Sequence, residues 1–368
     1  CLRFLCFIEC TRARDSLVLC FMTSLFQRSL LVILTLALVC LSALKLCADE
    51  VEVWDDKRQK KTRYVGTILE FKQTFISIEL ANGALREIPV ERLSDFVADW
   101  GMVFSQAETL RADFQFDDAL PLYRQAFRNH NSVWLRRHNT ARQIACLSAL
   151  GQWVEAADLY IEGLSSVNGD ALYLEILPLI WSRQTITPQM LQRASNWISS
   201  DSSEITQLLG ASWLMDSPKR TDAITTLTRI ENSNNSSLAL LAATQKWRPL
   251  VPMVKESQLQ RWQQIVLRMP HTLRAGPYYL LAHGFARNNE SQNAILNWMR
   301  VPIHYPGQYQ LSAEALLESA RVLDQLERDT EAVRLLREVT GKYQDTFAAR
   351  RAEAIAGQIQ NRLSPNEK

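Results

Sequence analysis

The sequence predicts a mainly α protein, an α-solenoid of about seven helix pairs over residues 100–363 preceded by a small β module. Three observations predict it. An apolar residue is followed twelve positions later by alanine in five places, Ala107/Ala119, Ile144/Ala156, Ala211/Ala223, Ala282/Ala294 and Ala320/Ala332. A bulky apolar residue stands three places after each first member, at Leu110, Leu147, Leu214, Phe285 and Leu323. Between residues 51 and 97 the apolar period changes from helical to alternating, the mark of strands.

Toward the start of the sequence a run from Leu30 to Leu44 is apolar and uncharged, between Arg28 and Lys45. That length suits the apolar region of an export signal better than a membrane span, which needs about 20 residues. Residues 1–48 are therefore expected to be a leader, a signal peptide or membrane anchor, with Met22 the expected true start and Ala48 the small residue best placed for cleavage. The expected location is exported, periplasmic or membrane-anchored. Of seven cysteines only Cys146 lies beyond residue 47, so the folded body is expected to hold no disulfide framework and Cys146 to be a buried, inert thiol.

Residues 49–97 read as the β module. Ile76, Ile78 and Leu80 alternate along a strand, Asn82-Gly83 reads as a hairpin turn, and Leu85 to Val90 returns with Pro89 suited to an edge. An earlier strand, Tyr64 to Phe71, carries Gly66 at an expected bend. Gly66-Thr67-Ile68, the Ile76/Ile78/Leu80 strand, Asn82-Gly83 and the run Ile88 to Leu93 resemble the small Src-homology-3-like barrels often found after an export signal. The resemblance implies a β-barrel-like module of a kind that commonly binds peptides; the segment has no row of aromatic residues for a proline-rich ligand, so a packing or spacer role is expected. Lys57, Arg58, Lys60, Lys61 and Arg63 follow Glu50, Glu52, Asp55 and Asp56, and read as a solvated loop neutralised by those acids.

In the helical body, small residues on both members of a pair let the axes approach. Tyr123, Tyr160, Leu227, Trp298 and Leu336, four places after the second alanine, seal each pair. The residues Ala107, Leu110, Ala119, Tyr123 and Ala126, then Leu147, Gly151, Ala156 and Tyr160, then Ala282, Phe285, Ala294, Trp298 and Pro306, resemble the tetratricopeptide repeat (TPR). The chain departs from that family's glycine at the turn, with Phe114, Asn289 and Glu327 in its place. Two long gaps between alanines are expected to hide divergent pairs, Asp170–Ser199 and Leu238–Met269. Ala348, Ala352, Ile355, Ile359 and Leu363 give a capping helix, and residues 364–368 a tail. Asp117 and Asp329 are expected helix caps, and the ten tryptophans core.

Basic and acidic residues number 41 and 39, so no overall field would gather nucleic acid, and no nucleic-acid partner is expected. The five histidines form no metal-ligand spacing, and no nucleophile elbow, phosphate loop or dinucleotide turn occurs. No metal, cofactor or catalytic residue is expected, and Glu314/Glu318 read as a solvated helical face. The candidate site is a peptide-binding groove. Tyr279, His283 and Arg287, spaced by four, with Arg111 and Arg321 at similar faces of other repeats, would hold an acidic or carboxylate-bearing peptide. The expected function is a non-enzymatic envelope scaffold binding a protein or peptide partner, with membrane association through the leader. The alternative is the helical body of a cell-wall-active system resembling lytic transglycosylases. Five residues follow Leu363, so a catalytic domain of that kind is not expected within this sequence.

Overall fold

The computed structural model describes residues 49–363 apart from 73, 131, 166–170 and 200. The leader, its cleavage position and the tail lie outside the described residues, as does part of the polar run at 199–203. The described chain falls into two compact units, the first holding most of a β-sheet and the second the helices. No helix among the described residues is long and apolar enough to cross a membrane.

The sheet has five strands, β1 Asp49–Trp54, β2 Lys61–Phe71, β3 Phe75–Leu80, β4 Leu85–Pro89 and β5 Leu93–Val97, in the order β4-β3-β2-β1-β5. It is open, with β4 and β5 as edges, which corrects the barrel-like expectation. The two strands that flank the predicted ones, β1 and β5, pair with each other, and a bulge at Glu52/Val53 interrupts their register. The Asp49 carboxylate accepts hydrogen bonds from the backbone N–H of Ile68 (2.7 Å) and of Asp99 (2.8 Å), tying the start of β1 to two neighbours. Gly66 marks a close approach rather than a bend, because a Cβ there would lie 2.0 Å from the Glu79 carbonyl oxygen. At the β3–β4 turn only Gly83 takes positive φ (78°), while the Asn82 side chain accepts from the Ala84 N–H at 3.0 Å. In the cationic loop, Lys61 and Arg63 are paired across strands with Glu52 and Glu50, and Arg92 with Asp56.

The helical unit follows the five pairs marked by the twelve-residue spacing, with other helices between them. These are α1 Met102–Ala112 with α2 Phe116–Asn129, and α3 Val133–Ala149 with α4 Trp153–Gly163. A single turn, α5 Ala171–Leu174, precedes an irregular stretch and then α6 Pro188–Trp197. Next come α7 Glu204–Leu214 with α8 Arg220–Ile230, then α9 Ser236–Gln245, which packs on α7 and α8. The following α10 Glu256–Arg268 packs on the helix after it and not on α9, so the expected pair Leu238–Met269 is not formed. The unit ends with α11 Ala275–Arg287 and α12 Ser291–His304, α13 Tyr309–Gln325 and α14 Asp329–Lys342, and the capping helix α15 Phe347–Leu363. Each of the ten residues of the twelve-residue spacing is fully buried, and so are the five sealing residues. Trp134, Trp213, Trp247, Trp262 and Trp298 are core, with Trp247 stacked on Trp262 at 4.5 Å.

Four of the five turns share one device. Phe114, Gly151, Asn289 and Glu327 adopt left-handed φ of 62°, 73°, 62° and 59°. The following N–H, of Gln115, Gln152, Glu290 or Arg328, donates to the carbonyl of the bulky residue Leu110, Leu147, Phe285 or Leu323 at 2.8–2.9 Å. This is a Schellman closure, which glycine fits without strain and three other residues fill here. In the fifth turn Pro218 stands at that position and the N–H of Ser217 bonds Leu214 instead.

Two further expectations need correction. The stretch Asp170–Ser199 is not a helix pair: Pro178 and Pro188 bracket a segment that runs without helix, and Leu179 and Ile180 in it are buried. The Trp213 Nε1–H and the Ser212 hydroxyl satisfy its backbone, bonding Pro178 O (3.0 Å) and Ile180 N (2.9 Å). Asp117 and Asp329 lie inside the first turns of α2 and α14, after cap residues Gln115 and Arg328, so they act on the helix dipole.

Candidate functional site

The closure of the helical unit on itself makes the site. Gln310 at the start of α13 donates through Nε2 to the Ala149 carbonyl at the end of α3 (2.6 Å), and Gln308 to the Glu175 carbonyl (2.8 Å). Phe114 and Phe116, in the first inter-helix turn, pack on Tyr309 at ring-centre distances of 5.5 and 4.8 Å. Beside this seam lies a groove of about 670 Å³. Its walls are the α3–α4 turn, the irregular segment 182–187 with the first turn of α6, the first turns of α13 and the α14–α15 junction.

Trp153, Val154, Met190 and Phe347 give the groove apolar surface, and Phe347 is 60% exposed. The Arg350 and Arg351 guanidiniums lie 5.6 and 5.8 Å from the Phe347 ring centre. Charges in the groove sort into two groups. Glu155 is paired with Arg124, and Glu314 with Arg351 at 3.3 Å. Arg183, Arg350 and Asp345 have no ion pair or hydrogen bond among the described residues, and all three are exposed. The amides of Gln184 and Gln189 are likewise uncommitted.

Behind one wall sits part of the predicted site. Tyr279 and His283 are in contact, with ring centres 4.6 Å apart and nearly perpendicular, and His283 makes the same edge contact with Trp298 at 5.0 Å. Burial pushes the His283 imidazole down to about 4, helped by the charges of Arg183 and Arg321 against Glu318. Burial likewise pushes the Tyr279 phenol well above its ordinary value, with Glu314 and Glu318 adding to it. Arg321 is 3.2 Å from Glu318. Glu314 and Glu318 are not a solvated face: both are mostly buried and meet Arg351 from α15 at 3.3 Å. Burial raises the Glu314 carboxyl, with Arg351 opposing.

The structure therefore gathers Tyr279, His283 and Arg321, and places the other two candidates elsewhere. Arg287 is exposed and donates to the Pro252 carbonyl at 3.3 Å. Arg111 belongs to a network around Glu108, whose carboxylate accepts from Arg111 (2.8 Å) and from the Tyr123 hydroxyl (2.5 Å) and lies 2.8 Å from Arg142. Burial works to raise the Glu108 carboxyl, and these partners together pull it below its ordinary value. Cys146 is buried and its thiol is pushed up by that burial to about 12, as an inert thiol would be.

Sequence reasoning missed Arg183, Gln184, Phe347 and Arg350. The signal for the first two was the polar run Ser182 to Thr185 between Trp181 and Pro188, which helix-pair spacing absorbed into a divergent repeat. Phe347 was visible as the one large aromatic at the head of the capping helix. No group of metal-ligating side chains occurs among the described residues. Compared with models of known protein families the chain matches none, and no curated protein is similar to it.

Proposed function

We propose that the protein is a non-enzymatic scaffold of the cell envelope, whose helical body is a TPR-like solenoid holding an extended segment of a protein partner. The observation that carries the reading is the groove of about 670 Å³, with apolar side chains beside amides and charges that have no partner of their own. An extended peptide needs both: apolar pockets for alternate side chains and polar groups for its backbone. The walls are pre-formed, because Gln310, Gln308 and Arg351 are already bonded to neighbouring elements, so little ordering cost falls on binding.

The apolar run of the leader supports export, with the body outside the cytoplasm, released or anchored.

A photo-crosslinking residue at Gln184 or Val154, compared with one at exposed Ile303 on α12, tests the groove in intact cells. The expected result is one shared polypeptide crosslinked from Gln184 and Val154 and not from Ile303. Crosslinking only from Ile303, or equally from all three, would move the partner off the groove. Protease protection of the body in intact cells, lost on opening the envelope, is the expected outcome for location.

A further inference from the structure

We infer that the groove selects an anionic peptide segment bearing one large apolar side chain, with Arg183 and Arg350 as its charge contacts and Phe347 as its apolar seat. The inference rests on the proposed groove and names the chemistry of its occupant. It follows from separating charges already neutralised from those left free. Glu155 and Glu314 are matched by Arg124 and Arg351, so the groove's free charges are Arg183, Arg350 and Asp345, two cations against one anion.

The two free cations belong to different walls. Arg183 comes from the irregular segment, near enough to His283 and Tyr279 for its charge to act on both. Arg350 stands one turn along α15 from Phe347, over whose ring its guanidinium lies at 5.6 Å. A carboxylate reaching Arg350 therefore brings the neighbouring part of its chain onto the exposed ring. Trp153 and Val154 line the same groove and offer a second apolar surface. Guanidinium groups suit carboxylates through two parallel N–H donors, and a partly water-excluded cleft strengthens such pairs. A cationic segment would meet two like charges and one opposite charge, and is disfavoured by the same arrangement.

The test uses the full chain and three fluorescein-labelled peptides of equal length. One alternates glutamate and glycine around a central leucine, the second carries lysine for each glutamate, and the third carries glycine for the leucine. Fluorescence anisotropy is read at low and high salt for the parent chain and for Arg183→Gln, Arg350→Gln and Phe347→Ala, all at exposed positions, with thermal melting confirming intact folding. The expected result is binding of the glutamate-leucine peptide only. It should weaken about tenfold in either arginine variant, as for loss of one charged hydrogen bond, and weaken again with salt. Phe347→Ala should lower the affinity for that peptide to the level of the leucine-free one. Equal binding of glutamate and lysine peptides, or binding unchanged in both arginine variants, overturns the charge assignment while leaving a peptide groove. Binding of none of the three, together with binding of heparin or polyphosphate that is lost in the arginine variants, overturns the peptide reading as well.

Discussion

Phe114, at the turn of the first helix pair, packs against Tyr309, the first residue of α13, with ring centres 5.5 Å apart. Tyr343 at the end of α14 joins them, 6.1 Å from Phe114 and 4.9 Å from Tyr309, and the Lys342 ammonium lies over the Phe114 ring at 5.1 Å. Phe114 reaches this cluster through a left-handed backbone, φ 62°, that costs about 1 kcal/mol for a residue with a side chain. The strain and the long-range contact sit on one residue, so its substitutions separate the two.

Phe114→Ala should remove the cluster contact while keeping the strain, and destabilise the chain by about 2 kcal/mol, less than for a fully buried phenylalanine because the ring is half-buried. Hydrogen exchange should rise at residues 113–116 and at the start of α13, with α7 to α10 unaffected. Exchange rising uniformly, or not at all near Tyr309, would mean that the aromatic contact does not hold the seam.

Glu327 occupies the same turn position in the last pair, with φ 59° and an exposed side chain that belongs to no such cluster. Here glycine should be better than the native residue. Glu327→Gly is expected to stabilise by about 0.5–1 kcal/mol, the left-handed strain relieved less the extra freedom glycine gains when unfolded. Urea unfolding with an unchanged slope measures it, and a loss of stability would show that the carboxylate contributes more than the strain costs.

How much of this was legible follows from where tertiary contacts set the structure. The helix pairs were legible because the twelve-residue spacing records a local geometry: two helices joined by a Schellman turn place Ala282 against Ala294 whatever surrounds them. The turn positions Phe114, Asn289 and Glu327 were legible for the same reason, by register with Gly151. The open sheet was not, since the Val51/Val53 alternation in Glu50-Val51-Glu52-Val53 is too short to declare a strand and says nothing of closure. The groove was not legible either, because it exists only where Gln310 meets the end of α3 and where residues 178–187 run without helix. Tyr279 and His283 touch, as their spacing implies, but they do not face a groove: Tyr279 is buried and His283 packs edge-on against Trp298.

Gly276 tests the irregular segment. A Cβ at this position, in the first turn of α11, would fall 2.0 Å from Cδ2 of Trp181, a rigid ring with no flexible end to yield. Gly276→Ala should therefore cost about 1–3 kcal/mol by overpacking, although alanine favours a helix. The double variant with Trp181→Leu should recover part of that loss, and thermal unfolding of the four proteins of the cycle measures the coupling. Additive losses would mean the tryptophan does not rest on this glycine.

Acid sensitivity should come from two imidazoles. Burial pushes His138 down to about 3, with the charge of Arg142 adding to it and Glu108 opposing, and His283 is held at about 4. Both are neutral when folded, while in the unfolded chain they titrate near the ordinary value of about 6.5. The unfolded state therefore binds more protons over that interval. Their contribution is fully present above pH ~6.5 and is lost as pH falls toward ~4 for His283 and ~3 for His138, at about 1.4 kcal/mol per pH unit for each. His138 packs tilted against Trp100 at 4.7 Å and Phe104 at 6.1 Å, so phenylalanine suits its surroundings. His138→Phe should flatten the fall in urea midpoint between pH 6.5 and 4 by one proton's slope and leave the midpoint at pH 8 within about 1 kcal/mol of the parent. A parallel fall in parent and variant would show that this imidazole takes up its proton equally in the folded and unfolded chain, and would remove its contribution to the pH dependence.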